Sequence, residues 1–341
     1  MTRDEGHDED TTAAGDYSDD EGEMRAMILA AGLGTRLRPL TEYRAKPALP
    51  IRGRPVISLL LDFLSRHGIW EVMINLHHLP ETVRAAVEED SPAATRISWS
   101  EELNPLGTGG GIRRAAAFLA ASDECVVLAG DMLLDLDLGD LVARHRRSGR
   151  DATLVLREDP RAIDFGTIGI DTAGRVTRIG DAWGREANGR CGVFTGVRIF
   201  SKQIFDDWPE QDVFEDLRGW LVPGIEVGRI GVGAEFVAPQ DSVWEPVGTP
   251  GEYLGVNLAP PSMPSLGGGA ENWCGDIRII GAAADVIVGS KAEIGAQAQL
   301  ERVVVWQGEI VPPRFVAHDG VFAAGRFHDC GPVRDLARHD H

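Results

Sequence analysis

The chain lacks the features that mark several common classes of protein. It has no run of about 18 apolar residues and does not open with a basic segment followed by an apolar one, so neither a membrane span nor a secretion signal is predicted. Its basic residues are not clustered, and its formal net charge of −19 disfavours nucleic acids and membrane surfaces as partners. We therefore expect a cytoplasmic protein that binds neither.

Cysteine is scarce and scattered. The chain has four cysteines, Cys125, Cys191, Cys274 and Cys330. Zinc sites and disulfide frameworks both show cysteines at short, regular spacings, and these four have no such spacing. The sequence therefore predicts neither a zinc site nor a disulfide framework.

Acidic residues are concentrated at the beginning of the chain. Residues 1–23 contain ten acidic residues against one basic residue, Arg3. A segment with so much charge and so little apolar surface cannot form a core, so we predict a disordered acidic tail over 1–23. The whole chain of 341 residues is 43% hydrophobic, which is enough for one large core and a small second domain.

After the tail, apolar strands alternate with amphipathic helices. Strands are predicted at 24–32, 71–76, 97–99 and 125–130, and helices at 55–67, 80–89 and 111–121. This alternation predicts stacked βαβ units, hence an α/β fold with a Rossmann-like, mostly parallel sheet and helices on both faces. Ligands should bind at the carboxyl ends of the strands. Further strands over 153–200, without long helices between them, predict a substrate-facing subdomain.

A different pattern begins after a linker rich in proline and glycine at 259–270. An apolar residue then recurs every six positions, at Val288, Ile294, Leu300 and Trp306. This period is typical of a left-handed β-helix. We predict a short C-terminal β-helix-like domain over 271–330, acting as a cap or in homo-oligomer formation, and a tail at 331–341. An ordinary β-hairpin region is the alternative.

The most specific motif is LAAGLGTRLRPLTEYRAKPALPI at 29–51, where a strand leads into a glycine-rich loop. Glycines let backbone N–H groups approach phosphate closely, and the cations Arg36 and Lys46 can neutralise its charge. The string is neither a P-loop nor a dinucleotide fingerprint. It favours a phosphate site, although a glycine loop by itself can also be purely structural.

Two further segments place functional groups where a parallel sheet binds ligands. In EELNPLGTGGGIRRAAA, at 101–117, consecutive glycines precede a helix and would leave its first N–H groups open to a ligand. In VVLAGDMLLDLDL, at 126–138, a buried strand ends at Gly130 and Asp131, which places a carboxylate at the strand tip. A metal ion bound with phosphate needs such a carboxylate.

These three segments resemble the NDP-sugar pyrophosphorylases, also called sugar-1-phosphate nucleotidylyltransferases. The resemblance covers about residues 24–258, and the GTGGG variant is similar to members that act on mannose, heptose or N-acetylmuramate 1-phosphates. It implies a catalytic domain over 24–258 that takes an NTP and a sugar 1-phosphate and yields an NDP-sugar and pyrophosphate. GTP with a mannose- or heptose-type sugar is the implied pair, with UTP next.

The resemblance also implies roles for individual residues. Asp131 would bind Mg²⁺, Arg36 would contact the β- and γ-phosphates, and Lys46 would stabilise the reacting phosphates. The implied nucleotide contacts are Ala30, Ala31, Gly32, Gly34, Thr35, Gly107, Thr108, Gly109 and Gly110. The segments DFGTIGID and VFTGV imply sugar contacts at Gly166, Thr195 and Gly196.

Two positions depart from the family pattern. Pro246 stands where the family has a second metal-binding aspartate, and Glu245 and Asp241 are the nearby candidates to replace it. The segment Asp181-Ala182-Trp183 stands where the family has a lysine for the sugar phosphate, with Arg185 or Arg190 as candidate substitutes. These departures keep open an alternative function, a catalytically weak regulatory or sensor protein that binds an NDP-sugar.

Overall fold

The computed structural model describes residues 23–184, 189–281 and 285–331. The predicted acidic tail, apart from its last residue, and the predicted C-terminal tail, apart from its first, lie outside these ranges. Within them, no helix combines the length and the apolar character that crossing a membrane would require.

Strands and helices alternate over the first part of the chain, as the sequence predicts. The helices are α1 (Val56–Arg66), α2 (Pro80–Glu89), α3 (Gly107–Arg114), α4 (Ala116–Leu119), α5 (Leu138–Ser148), α6 (Ala162–Phe165), α7 (Val222–Glu226) and α8 (Pro250–Leu258). The strands before α8 are β1 (Arg25–Leu29), β2 (Pro50–Ile51), β3 (Arg54–Pro55), β4 (Glu71–Leu76), β5 (Arg96–Glu101), β6 (Glu124–Ala129), β7 (Met132–Asp135), β8 (Ala152–Arg157), β9 (Ile168–Ile170), β10 (Val176–Ile179), β11 (Trp183–Gly184), β12 (Cys191–Ser201), β13 (Val232–Val237) and β14 (Val243–Pro246).

The central sheet is parallel in its first half and mixed as a whole. β1 pairs in parallel with β4 and β6, and β5 pairs in parallel with β4. β12 then pairs antiparallel with β6, β8 and β9. Parallel neighbours need a long crossover, and the chain after α5 has few long helices to supply one. The α/β fold with a parallel-rich central sheet is thus confirmed, and the sheet also contains the antiparallel pairs of β12.

Both faces of this sheet are covered, because successive side chains of each strand point to opposite faces. In β1, the buried Ala26 and Ile28 belong to one hydrophobic cluster, which includes α1. Met27 between them belongs to a second cluster on the other face, with α3 and α4. The carboxyl edge of the parallel strands therefore lies between two packed layers.

Helix α3 begins four residues earlier than predicted, at Gly107 instead of Gly111, and the helical run is interrupted at Ala115. Glycine is a poor helix former, so the sequence argued for a loop here. Tertiary packing overrides that preference. A Cβ on Gly109 would lie 2.3 Å from the Phe214 ring, so only glycine lets the two segments approach this closely.

The strands beyond the linker form a five-stranded sheet, which contacts α8, and a separate two-stranded sheet. They are β15 (Ile277–Ile280), β16 (Val286–Gly289), β17 (Glu293–Ile294), β18 (Gln299–Val305), β19 (Ile310–Val311), β20 (Val316–Ala323) and β21 (Arg326–Asp329). β16, β18 and β20 are parallel neighbours, as are β17 and β19, while β15 and β21 pair antiparallel at the edges. The β-helix itself and the exact domain bounds stay predictions.

Candidate active site

A cavity of about 520 Å³ lies at the carboxyl ends of β1, β4 and β6, and we call it the catalytic cavity. It brings together residues from all three motifs that the sequence analysis singled out. The predicted site residues in its lining are Ala30, Ala31, Gly32, Arg36, Lys46, Gly107, Thr108, Asp131, Thr195 and Gly196. The predicted residues outside the lining are Gly34, Thr35, Gly109, Gly110 and Gly166.

Lys46 and Asp131 form an ion pair in this cavity. The Nζ of Lys46 lies 2.6 Å from Oδ2 of Asp131, and the side chains are 11% and 42% exposed, respectively. The backbone holds Asp131 in place, because its carbonyl accepts a hydrogen bond of 2.9 Å from the N–H of Val247. A carboxylate at the strand tip thus remains open to the cavity while a largely buried cation fixes one of its oxygens.

The glycine loop turns so that Arg36 enters the same cavity. Gly34 adopts a φ of 62°, and its carbonyl accepts hydrogen bonds from the N–H of Leu37 and the hydroxyl of Thr41, both at 2.9 Å. Thr35 then begins a short 3-10 helix with Arg36 at its centre. Gly34 and Thr35 therefore shape the loop from outside the lining, and their contact with nucleotide stays a prediction.

A buried carboxylate that the sequence analysis missed also lines the cavity. Glu102 is 5% exposed, and its Oε1 accepts a hydrogen bond of 2.7 Å from the amide of Asn75. Asn75 in turn accepts a bond of 2.7 Å from the N–H of Ala30, while Oε2 of Glu102 accepts one of 3.0 Å from Leu106. The sequence signal that could have indicated Glu102 was the presence of polar residues at the ends of the predicted strands 71–76 and 97–99.

The first turn of α3 is less open than its glycines suggested. The N–H groups of Gly109 and Gly110 donate to the carbonyl of Phe214, at 3.0 and 3.3 Å. The expectation that the consecutive glycines leave these donors free for a ligand is therefore wrong for this pair. Gly107 and Thr108 remain in the lining, and the role of α3 in nucleotide binding stays a prediction.

A buried ion pair, also missed from sequence, ties α3 to β12. The guanidinium of Arg198, which lines the cavity, donates from Nε to Asp216. The hydroxyl of Thr108 donates to the other Asp216 oxygen at 2.6 Å. Burial favours the neutral acid, but the charge and hydrogen bond of Arg198 and the bond from Thr108 outweigh it and hold the pKa of Asp216 below its ordinary value.

The predicted sugar contacts reach the cavity only in part. Thr195 lines it, but its hydroxyl donates to the Val155 carbonyl at 2.9 Å and so points into the sheet. Gly196, with a φ of 85°, lies beside Ala129, where a Cβ would come within 2.9 Å. Gly166 is outside the lining, whereas its neighbour Phe165 belongs to it. The Phe165 ring packs edge-on against the Trp244 ring, with 5.1 Å between the ring centroids.

Neither candidate for the second metal-binding carboxylate reaches the cavity. Trp244 and Pro246 of β14 line it, so the residue between them faces the opposite side of the strand. Accordingly, Oε2 of Glu245 accepts a hydrogen bond of 2.9 Å from Arg161. Asp241 is exposed in a 3-10 helix outside the lining. The suggestions that Glu245 or Asp241 supplies the second carboxylate are therefore corrected. Pro246 itself lines the cavity at the position where the family has an aspartate.

The substitute for the missing family lysine is also not found among the described residues. Arg185 lies outside the described residues. Arg190 is exposed, and its Nη2 lies 2.7 Å from Glu158, away from the catalytic cavity. The cations that line the cavity in the described part of the chain are Arg36, Lys46 and Arg198.

The donor set of the cavity fits a metal ion that is shared with a phosphate ligand. Glu102, Glu215 and Glu252 also line the cavity; Glu102 and Glu252 are held by backbone N–H groups, which donate to them from Leu106 at 3.0 Å and from Gly248 at 2.7 Å. In the described ranges, no group of three possible protein ligands occurs. Asp131, at the strand tip and with one oxygen left open to the cavity, is the candidate ligand that the motif predicts. Mg²⁺ is commonly held by one or two carboxylates with phosphate oxygens and waters.

Similarity to known proteins supports the same interpretation of the motifs. The family model described as "Nucleotidyl transferase" matches residues 25–217. The chain is 32% identical over 243 residues to UTP–glucose-1-phosphate uridylyltransferase of Synechocystis sp., covering 67% of this chain and 61% of that protein. It is 30% identical over 304 residues to mannose-1-phosphate guanylyltransferase of Mycobacterium tuberculosis, covering 84% of this chain and 80% of that protein.

A solved structure shows the same fold. It is HddC from Yersinia pseudotuberculosis complexed with GMP-PN, which superposes with a TM-score of 0.56 at 25% sequence identity, over 67% of this chain and 96% of that one. The motifs, the cavity that unites them and the match of the family model over more than half of the sequence agree. The chain belongs to the nucleotidyl transferase family.

Proposed function

We propose that the protein transfers a nucleoside monophosphate from an NTP to a sugar 1-phosphate, with release of pyrophosphate. The observation that carries this proposal is the Lys46–Asp131 ion pair, which lines the same cavity as Arg36 at the carboxyl edge of the parallel strands. Two cations and one exposed carboxylate suit a triphosphate with a divalent ion. The names of the relatives support the same reaction class.

The chemistry asks for positioning and charge neutralisation more than for proton transfer. A sugar-phosphate oxygen, already ionised at neutral pH, attacks the α-phosphorus, and the bond from that phosphorus to the bridging oxygen of pyrophosphate breaks. Lys46 stabilises charge on the reacting phosphate, and Arg36 binds the departing β- and γ-phosphates. In keeping with this, the lining that the described residues provide contains no histidine or cysteine.

Asp131 would hold the divalent ion, proposed to be Mg²⁺. When bound, such an ion offsets negative charge on the phosphates. Lys46 keeps one oxygen of Asp131 in a fixed position, so the other is the one presented to the cavity. This arrangement pre-organises the carboxylate before nucleotide enters.

We propose GTP as the nucleotide, because of Glu102. A carboxylate offers only hydrogen-bond acceptors, and guanine presents two adjacent donors, N1–H and the N2 amino group. Uracil presents one N–H between two carbonyls and would bring oxygens against the carboxylate. Asn75 and the N–H of Leu106 fix the orientation of Glu102, so it cannot easily turn away from a poor partner.

For the sugar we propose a mannose or heptose 1-phosphate, the classes favoured by the sequence resemblance. Phe165 and Trp244 form an aromatic wall of the cavity, against which the apolar face of a pyranose can pack.

For the C-terminal strands we keep the proposal of a short left-handed β-helix that supports a homo-oligomer. The predicted location stays the cytoplasm.

The experiment that tests the function is a matrix of pyrophosphate-release assays. Five nucleoside triphosphates are combined with the common sugar 1-phosphates in the presence of Mg²⁺. We expect turnover to be fastest with GTP and a mannose- or heptose-type sugar. Nucleotide binding without turnover in any combination, at high Mg²⁺ or Mn²⁺, would replace the enzyme by the NDP-sugar sensor.

Replacing Glu102 by glutamine should reduce discrimination between bases. The amide presents an N–H₂ where guanine needs an acceptor, so kcat/KM with GTP should fall by about tenfold or more, since a mispaired hydrogen bond of this kind costs roughly 1–3 kcal/mol. The value with UTP should change much less. The matched control is Glu101→Gln, because Glu101 is exposed and pairs with Arg84. Equal losses with GTP and UTP would show that Glu102 does not read the base.

Pro246→Asp should lower the Mg²⁺ concentration needed for half-maximal rate. Pro246 lines the cavity and pairs with Met132, the residue after Asp131, so a carboxylate there would lie beside the proposed ion. We expect about a tenfold decrease, equivalent to roughly 1.4 kcal/mol. Pro246→Ala controls for loss of the ring, and Glu245→Gln should have no effect because Glu245 pairs with Arg161. The same Mg²⁺ requirement in both Pro246 variants would contradict the assignment.

A further inference from the structure

Arg198 is a cation in the catalytic cavity that the sequence motifs do not account for. It lies on β12, is 4% exposed and lines the cavity. Its Nε donates to Asp216, its Nη1 donates to the Gly196 carbonyl at 3.0 Å, and its guanidinium carbon lies 4.7 Å from the centre of the Phe194 ring. These contacts fix the orientation of the guanidinium before any ligand enters.

The remaining nitrogen of Arg198, Nη2, is the one that a ligand can reach. It donates to no group in the described part of the chain, yet it is not one of the buried polar atoms that lack a partner. Nη2 is therefore accessible, and it is accessible from the cavity because Arg198 lines it. A guanidinium that is already held in one orientation loses little freedom when it donates to a ligand.

A bulge in β12 shapes this part of the cavity. The pairing of β12 with β8 shifts between Phe194 and Arg198, so residues 195–197 form an irregular step in the strand. Bulges are frequent beside active sites, where they redirect side chains. Gly196, within the step, has a φ of 85°, which favours glycine. The direction of Arg198 therefore depends on a local feature of the cavity wall.

Arg198 lies away from the residue that is proposed to read the base. Glu102 follows β5, and β6, β1 and β4 lie between β5 and β12 in the sheet. Neighbouring strands are about 4.8 Å apart, so β5 and β12 are separated by roughly 19 Å across the sheet. By contrast, Trp244 of the proposed aromatic wall donates from Nε1 to the Thr195 carbonyl at 2.8 Å, in the bulge itself. Arg198 is therefore at the end of the cavity proposed for the sugar.

The charges around Nη2 favour a neutral acceptor over a phosphate. Asp216 balances the charge of Arg198. Glu215 also lines the cavity, and its Oε2 lies 2.8 Å from the Thr108 hydroxyl, which binds Asp216 as well. A phosphate at this place would meet two carboxylates and one cation. A sugar hydroxyl oxygen accepts an N–H and brings no further negative charge.

We propose that Arg198 determines the sugar specificity of the catalytic cavity, with its Nη2 donating to one hydroxyl oxygen of the pyranose ring. Asp216 holds the guanidinium in place and is a positioning residue for this contact. The inference rests on the proposed function, because it needs the sugar of a sugar 1-phosphate or an NDP-sugar in the cavity. The contact is to the sugar and not to the nucleotide, so loss of Arg198 should affect sugar binding selectively.

The test combines calorimetry with turnover measurements on the full chain. The probes for binding are GDP-mannose and UDP-glucose, each compared with its own nucleoside diphosphate. Arg198→Lys keeps a cation beside Asp216 but removes the forked guanidinium. It should weaken binding of at least one NDP-sugar by about tenfold or more, as expected for loss of a charged hydrogen bond, and leave binding of the diphosphate unchanged. KM for the sugar 1-phosphate should rise in parallel, while KM for the NTP should change little.

Monodeoxy analogues of the best sugar 1-phosphate identify the hydroxyl that accepts the bond. With the wild type, kcat/KM should fall by about tenfold or more for the analogue that lacks this hydroxyl. Arg198→Lys should no longer distinguish that analogue from the parent sugar, whereas its preferences at the other hydroxyls should stay the same. An arginine with a purely structural role would leave the whole pattern of preferences unchanged.

Two further variants separate sugar binding from folding. Asp216→Asn combined with Arg198→Met removes both buried charges together and should show the same selective loss of sugar binding as Arg198→Lys. Arg144→Lys alters ion pairs with Asp140 and Glu235 that lie outside the catalytic cavity, and it should leave the binding of every probe unchanged.

The inference and the proposed function fail in different ways. Unchanged sugar KM and unchanged NDP-sugar binding in an active Arg198→Lys variant would overturn the role of Arg198 and leave the proposed reaction standing. NDP-sugar binding that depends on Arg198, in a wild type without turnover for any substrate pair, would support the sugar contact and overturn the reaction. Equal weakening of NDP-sugars and diphosphates would assign Arg198 to the structure of α3 and reject the inference. A wild type that neither binds an NDP-sugar nor turns over would reject both.

Discussion

Asp131→Asn is expected to lower kcat/KM for pyrophosphate release by about two orders of magnitude or more. The substitution keeps the shape of the side chain but removes the charge that faces the cavity beside Lys46. Loss of one charge contact to the reacting phosphates or their ion is worth roughly 3 kcal/mol, which corresponds to that change in rate. The rate is measured at saturating Mg²⁺ with the best pair of substrates.

Asp137→Asn is the matched control for this experiment. Asp137 lies on the same segment, but its carboxylate accepts the N–H of Asp140 at 2.9 Å and caps α5. Asparagine is an equally good cap, so both the rate and Tm should stay close to the wild type. If Asp131→Asn retained near wild-type release, Asp131 would not be the metal ligand.

The parts of the site that follow a local pattern were predictable from sequence. β4 (Glu71–Leu76) and α2 (Pro80–Glu89) have the predicted bounds, because strong apolar periodicity and clear end signals specify them. Asp131 and the glycine loop follow buried strands directly. Parallel strands end at one edge of a sheet, so their meeting in one cavity follows from the topology.

The parts of the site that depend on distant segments were not predictable. One oxygen of Glu102 is fixed by Asn75, near the end of a neighbouring strand. The amides of Gly109 and Gly110 are occupied by Phe214, which is more than 100 positions away in sequence. The spacing of residues within α3 or β5 cannot indicate contacts with residues so far away in the sequence.

The position of Glu245 shows a limit of a different kind. The side-chain alternation of a strand would have separated Glu245 from Pro246, but the sequence analysis did not assign a strand there. β14 is a short strand that pairs with β7 in its own two-stranded sheet. Such short strand pairs are stabilised by the surrounding packing more than by the strand propensity of their own residues. The motif match by itself therefore left both Glu245 and Asp241 as candidate metal ligands.

Asp216→Asn is expected to destabilise the fold by about 3–5 kcal/mol, because it leaves the Arg198 guanidinium buried without a counter-charge. For a chain of this size the decrease in Tm should be roughly 10 °C. The surface pair between Lys202 and Asp123 provides the matched control. Asp123→Asn should leave the stability close to that of the wild type, since exposed ion pairs contribute little.

The dependence on pH and a double variant identify the unpaired charge as the cause. Because the pKa of Asp216 is held below its ordinary value, its contribution to stability is present above about pH 4 and is lost as the pH falls through the folded-state pKa. The difference in unfolding free energy between wild type and Asp216→Asn should therefore persist from neutral pH to about pH 4 and shrink below it. Adding Arg198→Met to the variant should recover much of the loss, because the buried charge is then gone. A difference that is independent of pH, or a double variant that is less stable than either single one, would assign the loss to packing around Thr108 instead of to the ion pair.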